Sequence, residues 1–191
     1  MKKNYLFAVV TIVIMSSFLF YAYEEGITGK TLKSSEPGCI CHAETQSSDV
    51  NVIIDGPNEL AVGQTAAYSV RISGGLLVRG GTNVAVSLGS LQAGDGMQKI
   101  SGELTHTFPK LPQDNEVVFE FNYTAPLQPT TITMYANGNS VNFSGTEIGD
   151  AWNYAQNKSI TIKTIAGQND NVEESNFYLA QNYPNPFNPT T

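Results

Sequence analysis

The sequence is poor in basic residues and cysteine, and each shortage excludes a class of protein. Of its 191 residues, 10 are Lys or Arg and 17 are Asp or Glu, which gives a formal net charge of −7 at pH 7. Because an acidic surface repels nucleic acid and anionic lipid, we exclude both as partners. The 2 cysteines are too few for a disulfide-dense scaffold, so the fold must depend on its hydrophobic core.

The motifs of common enzymes are also missing. Only His42 and His106 could act as a catalytic base, and no Gly-x-Ser-x-Gly elbow occurs in the sequence. No glycine-rich phosphate loop precedes a helix, because no stretch beyond residue 45 has helical periodicity. We therefore predict that the chain is not an enzyme.

Apolar and polar residues alternate from Val50 onward. The runs are "VNVIID", "AAYSVRIS", "TNVAVSL", "EVVFEFNYT", "TTITMYA" and "KSITIKT". Strict alternation indicates a strand with one buried face, and Gly, Pro, Asn and Asp separate the runs. About seven such strands within residues 49–165 predict an all-β fold, an antiparallel Ig-like β-sandwich.

Other stretches carry weaker signals. We interpret "GGLLVRGG" as a buried strand between turns, with an apolar hairpin tip that binds a partner as the alternative. We interpret both "LQAGDGMQK" and "YANGNSVNFSG" as loops. Trp152 in "GDAWNYA" has two interpretations, a ligand platform or a buried anchor whose indole N–H finds one acceptor, and we favour the anchor.

The two ends of the chain differ in composition from the strand region. Residues 1–23 combine Lys2 and Lys3 with a long apolar run, as in a secretory signal peptide. No small-x-small pair marks a cleavage site, so a retained anchor is the alternative. If the signal is cleaved, no stable membrane insertion is expected. Residues 166–178 are polar and acidic and are typical of a linker.

The last residues, "NYPNPFNPTT", resemble the opening of the C-terminal sorting domain of type IX secretion cargo. The resemblance implies that the type IX secretion machinery is a partner, and that the protein is extracellular, on the cell surface of a Gram-negative bacterium. That sorting domain continues for several more strands in the family, so we expect residues 179–191 to be its truncated start.

The body of the chain is similar to a second family. The fragments "GITGKT", "GCICHAE", "GELTHT", "FNYTAP" and "GDAWNYA" resemble the bacterial reelin-like domain known as choice-of-anchor V. The resemblance covers about residues 26–164 and implies a reelin-like sandwich that is joined to one of several surface anchors. It implies no particular activity.

Residues 24–48 concentrate the reactive side chains Cys39, Cys41 and His42. The first interpretation is covalent haem c, whose Cys-x-x-Cys-His motif is one residue longer than the spacing here. The second is a single Zn or Cu ion, with His106 as a fourth ligand beside two thiolates and His42. His106 could equally be the distal ligand of a haem. The third is a strained Cys39–Cys41 disulfide without a cofactor.

Two function classes follow. The first is a secreted cell-surface module with a binding or structural role, whose partner is a glycan or another surface protein. The alternative is an extracellular electron-transfer or metal-holding protein that uses Cys39, Cys41, His42 and His106. Because residues 26–48 have little apolar content, we expect them to dock on the sandwich only when a cofactor, metal or disulfide ties them down.

Overall fold

The computed structural model describes residues 25–34 and 38–164, which form strands and no helix. The predicted signal peptide, linker and sorting motif lie outside these described residues. In the part that is described, no helix is long and apolar enough to span a membrane.

Eleven strands make up two sheets that pack face to face. In chain order they are β1 (Val50–Asp55), β2 (Glu59–Ala61), β3 (Thr65–Gly74), β4 (Arg79–Val86), β5 (Ser90–Ala93), β6 (Met97–Ile100), β7 (Glu103–His106), β8 (Glu116–Thr124), β9 (Thr130–Val141), β10 (Ala151–Tyr154) and β11 (Lys158–Lys163). One sheet has the order β1-β3-β8-β5. The other has the order β2-β11-β9-β4-β7-β6, and β10 pairs with the second half of β9.

The predicted β-sandwich is confirmed, and so are most of the predicted buried faces. The inward residues of β1, β3, β8, β9 and β11 form one hydrophobic core between the sheets. Among the largest fully buried side chains are Phe119, Tyr123, Leu104 and Met134. Gly138 marks a close approach of the two sheets, since a Cβ there would lie 2.7 Å from Ile72 across the core. The alternating pattern therefore identified the surface that drives folding.

The number and arrangement of strands differ from the prediction of about seven antiparallel strands. The additional strands have three or four residues each, which is too short for an alternating pattern to be recognised in the sequence. Two of these, β5 and β6, occupy the stretch that we interpreted as a loop. One pair is parallel: β11 runs alongside β2, with Ile162 opposite Leu60.

Two apolar stretches were also misplaced. Residues 75–78 are a loop rather than a buried strand, and Leu77 alone of its three large apolar residues is buried. Leu88, the last residue of the alternating run "TNVAVSL", is 51% exposed rather than buried with Val84 and Val86, because β4 ends at Val86.

The second half of β9 departs from one-sided burial. Through Ala136 buried and partly exposed residues alternate, but from Ala136 to Val141 every residue is buried. β4 shows the same continuous burial from Gly80 onward. A strand that is buried on both faces must be covered from outside its sheet. The N-terminal segment supplies that cover.

We predict that Leu104→Ala lowers the free energy of unfolding by about 2–5 kcal/mol, because it leaves a cavity in the core beside Val84. Leu104 is 0% exposed, whereas Leu127 is 79% exposed and serves as the matched control. Leu127→Ala should change stability by no more than about 0.5 kcal/mol. Urea unfolding measures both, and equal losses in the two variants would contradict the assignment of the core.

Candidate functional site

The candidate site lies on the outer face of the seven-stranded sheet, beneath the N-terminal segment. We call this surface the covered face; its side chains come from four neighbouring strands: Asn83, Thr105, Asn137, Asn139, Trp152 and Tyr154. The residues that lie on it, 25–34 and 38–48, are called the cover segment. The cover segment contains no strand, so its backbone groups must find partners elsewhere.

Asn137 provides the central contacts of this interface. Its Nδ2 donates to the carbonyl of Lys30 at 2.8 Å and to Sγ of Cys39 at 3.2 Å, while its Oδ1 accepts from the backbone N–H of Asn83 at 2.9 Å. The side chain is 1% exposed. A buried carboxamide with both ends satisfied can bind two parts of the cover segment at once.

A second set of hydrogen bonds lies one strand further along. The backbone N–H of Lys30 donates to Oδ1 of Asn83 at 2.9 Å, and that of Gly29 donates to Oε2 of Glu103 at 2.8 Å. Asn83 also donates from Nδ2 to Oε2 of Glu103 at 3.0 Å. The cover segment is therefore held by amide and carboxylate side chains of β4, β7 and β9.

Trp152 anchors the other half of the cover segment. Its indole Nε1 donates to the carbonyl of Ala43 at 2.8 Å, and its ring meets Tyr154 edge-on, with centroids 5.1 Å apart. Gly38 lies directly on this ring, because a Cβ there would be 2.4 Å from two of its carbons. The prediction of a buried anchor with one acceptor is confirmed. Trp152 is buried beneath the cover segment and does not belong to the core between the sheets.

The two cysteines are free thiols in different surroundings. Burial raises the pKa of Cys39 to about 12, although a hydrogen bond from Asn139 partly opposes this. The Cys39 thiol is therefore protonated at neutral pH and is a poor nucleophile and metal ligand in this position. Cys41, two residues later, is exposed.

His42 forms a pair with a buried carboxylate. Its Nδ1 lies 2.8 Å from Oδ2 of Asp150, whose side chain is 6% exposed, while the imidazole is 33% exposed. The other oxygen, Oδ1, accepts the backbone N–H of Asn142 at 2.9 Å. Asp150 thus fixes the orientation of the ring, so that Nε2 is the nitrogen left for an external ligand.

His106 contacts the backbone of a neighbouring strand, and its predicted roles as a metal or haem ligand stay predictions. It ends β7, and its Nδ1 lies 3.1 Å from the N and 3.2 Å from the O of Thr82 on β4. At the end of β7, the imidazole ring thus takes the place of a backbone hydrogen-bond partner for Thr82 of β4. Gly81 makes room for it, because a Cβ there would lie 2.6 Å from Cε1. Burial lowers the pKa of His106, and a smaller contribution comes from His42.

The four residues that the sequence singled out do not converge on one point. Within residues 25–34 and 38–164, no group of three or more His, Cys, Asp or Glu side chains is placed to hold a metal ion. Cys39, Cys41 and His42 remain together on the cover segment, and His106 lies at the end of β7. A haem or metal site that uses all four therefore stays a prediction.

Sequence reasoning missed the residues that build the site. Asn137 and Asn139 belong to "YANGNSVNFSG", which was interpreted as a loop but forms the end of β9. Asp150 lies 108 residues from His42, so no spacing could connect them. One signal was available: the stretch has five Asn or Ser residues and no Pro, and the absence of Pro permits the preceding strand to continue.

No protein-family model and no curated protein matches this chain. Among solved structures, the PKD domain of an M14-like peptidase from Thermoplasmatales archaeon SCGC AB-540-F20 is similar, with 13% identity and a TM-score of 0.35. The match covers 60% of this chain and 94% of that domain. The native conformation of E. coli alpha-2-macroglobulin matches with 13% identity and a TM-score of 0.33, over 62% of this chain and 7% of the macroglobulin.

We predict that Gly38→Ala releases the cover segment around Cys39 without unfolding the sandwich. The added methyl group would overlap the Trp152 ring, which is 3% exposed and has no room to move. Hydrogen exchange should accelerate at the backbone N–H groups of Lys30 and His42, both of which are hydrogen bonded in the native chain.

The core strands β3 and β8 are the internal control for this experiment, because Gly38 does not contact them. Their exchange should stay within experimental error of the native chain. Unchanged protection at both Lys30 and His42 would show that Gly38 is not needed for the close approach.

We predict a histidine-dependent loss of stability below about pH 6.5. The pKa of His106 is lower in the folded chain than its ordinary value of 6.5, so the unfolded chain binds the proton more readily. The stabilisation is therefore intact above pH 6.5 and decreases as the pH falls toward the folded-state pKa. His106→Gln retains a hydrogen-bonding side chain for Thr82. It should reduce the slope of the free energy of unfolding against pH by at most about 1.4 kcal/mol per pH unit. Urea unfolding at several pH values measures it, and identical slopes in the two proteins would refute the assignment.

Proposed function

We propose that this chain is a non-catalytic, secreted β-sandwich module with a binding or structural role at a bacterial surface. The observation that carries the proposal is the use of the reactive side chains as structural contacts. Cys39 lies against Asn137, His106 completes the edge of β4, and the backbone of the cover segment is bonded to the sheet. Secretion and type IX sorting are proposed from residues 1–23 and 179–191, and the reelin-like assignment is proposed from the sequence fragments alone.

The docking of the cover segment supports this proposal. Direct hydrogen bonds link the cover segment to Asn83, Glu103, Asn137 and Trp152. The expectation that a cofactor, metal or disulfide also ties this segment down stays a prediction. The paired amides of Asn83 and Asn137 give this contact a fixed geometry. The sandwich and the cover segment together form one platform, and the loops at its ends remain available for a partner.

One observation favours the alternative of a haem or metal protein. Asp150 holds Nδ1 of His42, as outer carboxylates do for ligating histidines, and this leaves Nε2 available. Haem would supply one-electron chemistry if it were bound there. The two thiols do not fit a double thioether attachment, because Cys39 is partly buried against Asn137 whereas Cys41 is exposed. The haem or metal hypothesis is therefore our second candidate function.

The test is an absorption spectrum and an intact mass of protein exported from cells that mature c-type cytochromes. We predict no Soret band, and slow alkylation of Cys39 beside faster alkylation of Cys41 in the native protein, since the pKa of the Cys39 thiol is raised to about 12. In denaturant both thiols should react. Alkylation of native Cys41→Ser and Cys39→Ser variants assigns each rate.

Each other result would replace part of the proposal. A Soret band with added haem mass would establish the electron-transfer reading. A mass lower by about two units, with no alkylation before reduction, would show a Cys39–Cys41 disulfide. Metal retained through dialysis and lost in His42→Ala would establish a metal site.

A further inference from the structure

Three loops meet at the end of the sandwich where β9 stops, and they expose large apolar side chains. These loops are residues 75–78, 107–115 and 142–150. We call their exposed apolar side chains the loop-tip patch: Leu76 (62% exposed), Val78 (46%), Phe108 (47%), Leu111 (59%), Phe143 (45%) and Ile148 (77%). Of the twelve large apolar residues that are exposed in the described chain, half lie here. Such clustering marks an interaction surface rather than scattered exposure.

Direct contacts bring the three loops together. The backbone N–H of Val78 donates to the carbonyl of Val141 at 3.0 Å, and Gly80 and Lys110 exchange backbone hydrogen bonds at 2.9 and 2.8 Å. Leu76 extends toward the last loop, since a Cβ at Gly149 would lie 3.5 Å from its Cδ1. The patch is therefore one surface built on the ends of β4 and β9.

A guanidinium group lies at the centre of the patch. The Cζ atom of Arg79 is 5.3 Å from the ring centroid of Phe108 and 4.4 Å from that of Phe143. The two rings are 6.3 Å apart and nearly perpendicular, at 70°. Nη1 of Arg79 donates to the carbonyl of Pro109 at 3.1 Å, which fixes the group between the rings.

Arg79 differs from Arg71, the other arginine, in its charged neighbours within the described residues. Arg71 pairs with Glu116 at 2.6 Å and with Asp55 at 3.5 Å. Among the described residues, no carboxylate forms an ion pair with Arg79. A fixed guanidinium with unused N–H groups is suited to a carboxylate from another molecule, and the flanking rings reduce its hydration.

The backbone at Phe143 is strained in order to present its ring. Its φ is 54°, in the left-handed region, where a bulky non-glycine residue is an outlier. Strain of this kind persists where the surroundings impose it, and it concentrates at ligand clamps. Here the strained residue holds one of the two rings that enclose Arg79.

We propose that the loop-tip patch binds a peptide segment of another protein that carries a carboxylate beside large apolar side chains. The carboxylate would pair with Arg79, and the apolar side chains would cover Leu76, Phe108 and Phe143. Arginine and aromatic residues in an apolar surround are typical of interface hot spots. Four of the six patch residues are aliphatic, which favours a protein over a sugar, whose rings stack on aromatic faces. This inference rests on the proposed function in that it names the partner of the surface module.

The test uses the isotopically labelled full chain and two capped peptides in an NMR titration. Acetyl-Leu-Glu-Phe-amide carries the proposed chemistry, and acetyl-Leu-Gln-Phe-amide lacks only the charge. We expect the glutamate peptide to shift the Arg79 Nε–H and the Leu76 methyl signals. We expect the glutamine peptide to bind at least about tenfold more weakly, since a tenfold change corresponds to about 1.4 kcal/mol for the charge-assisted pair.

Three variants decide the assignment. Arg79→Gln should weaken the glutamate peptide about tenfold, whereas Arg71→Gln, the matched control with its own carboxylate partners, should leave binding unchanged. Phe143→Gly should abolish the shifts while the fold is retained, because glycine accepts the left-handed φ without strain. If Arg79→Gln does not fold, Phe143→Gly still tests whether the patch binds the peptide.

Several results would overturn the proposal. These are no shifts up to the solubility limit of the peptide, equal binding of the two peptides, or equal binding by Arg79→Gln. Shifts produced by a uronic-acid oligosaccharide and not by the peptide would assign the patch to an anionic sugar instead. These outcomes are distinct from failure of the proposed function, which would appear as bound haem, bound metal or a disulfide in the absorption and mass measurements.

Discussion

Satisfying the buried carboxamide of Asn137 is the constraint that joins the two parts of this molecule. An amide with no partner at such a position would cost about 1–3 kcal/mol, so the polar outer face of β4 and β9 cannot be covered by an apolar segment. The cover segment meets this requirement with its own backbone, which has no sheet to pair with. Lys30 alone contributes both an acceptor to Asn137 and a donor to Asn83. The two polar surfaces are therefore each other's hydrogen-bond partners.

The same constraint explains why the reactive residues separate into two groups. Cys39 is partly buried in this contact and His106 is buried, and loss of solvent favours the neutral form of each side chain. Cys41 and the imidazole of His42 stay at the rim, the latter oriented by Asp150. Residues that are adjacent in sequence thus differ in solvent exposure, and Cys41 and His42 are the ones that solvent or a ligand can reach. The loop-tip patch lies beside it, since Asp150 ends the loop that carries Phe143 and Ile148.

Sequence patterns predicted the fold where burial is one-sided and failed where it is two-sided. Phe119, Phe121 and Tyr123 alternate with polar residues because water covers the opposite face of their sheet. Asn137 and Asn139 are polar but buried. Their burial could not be predicted, because a polar stretch has the same composition whether water or another segment of the chain covers it. Trp152 was recognised as an anchor because a large indole with one donor has few other uses. His42 and Asp150, which meet only in the folded chain, could not be paired from their positions in sequence.

The parallel pairing of β2 with β11 has a consequence for the time at which the domain can fold. Leu60 meets Ile162, so one edge of the larger sheet stays open until the last strand of the sandwich is available. The cover segment waits similarly for β9 and β10, which lie about a hundred residues further along. Contacts of such long range make folding slow, and they leave a growing chain without its final partners. The topology therefore delays the native structure until synthesis of the whole strand region is complete.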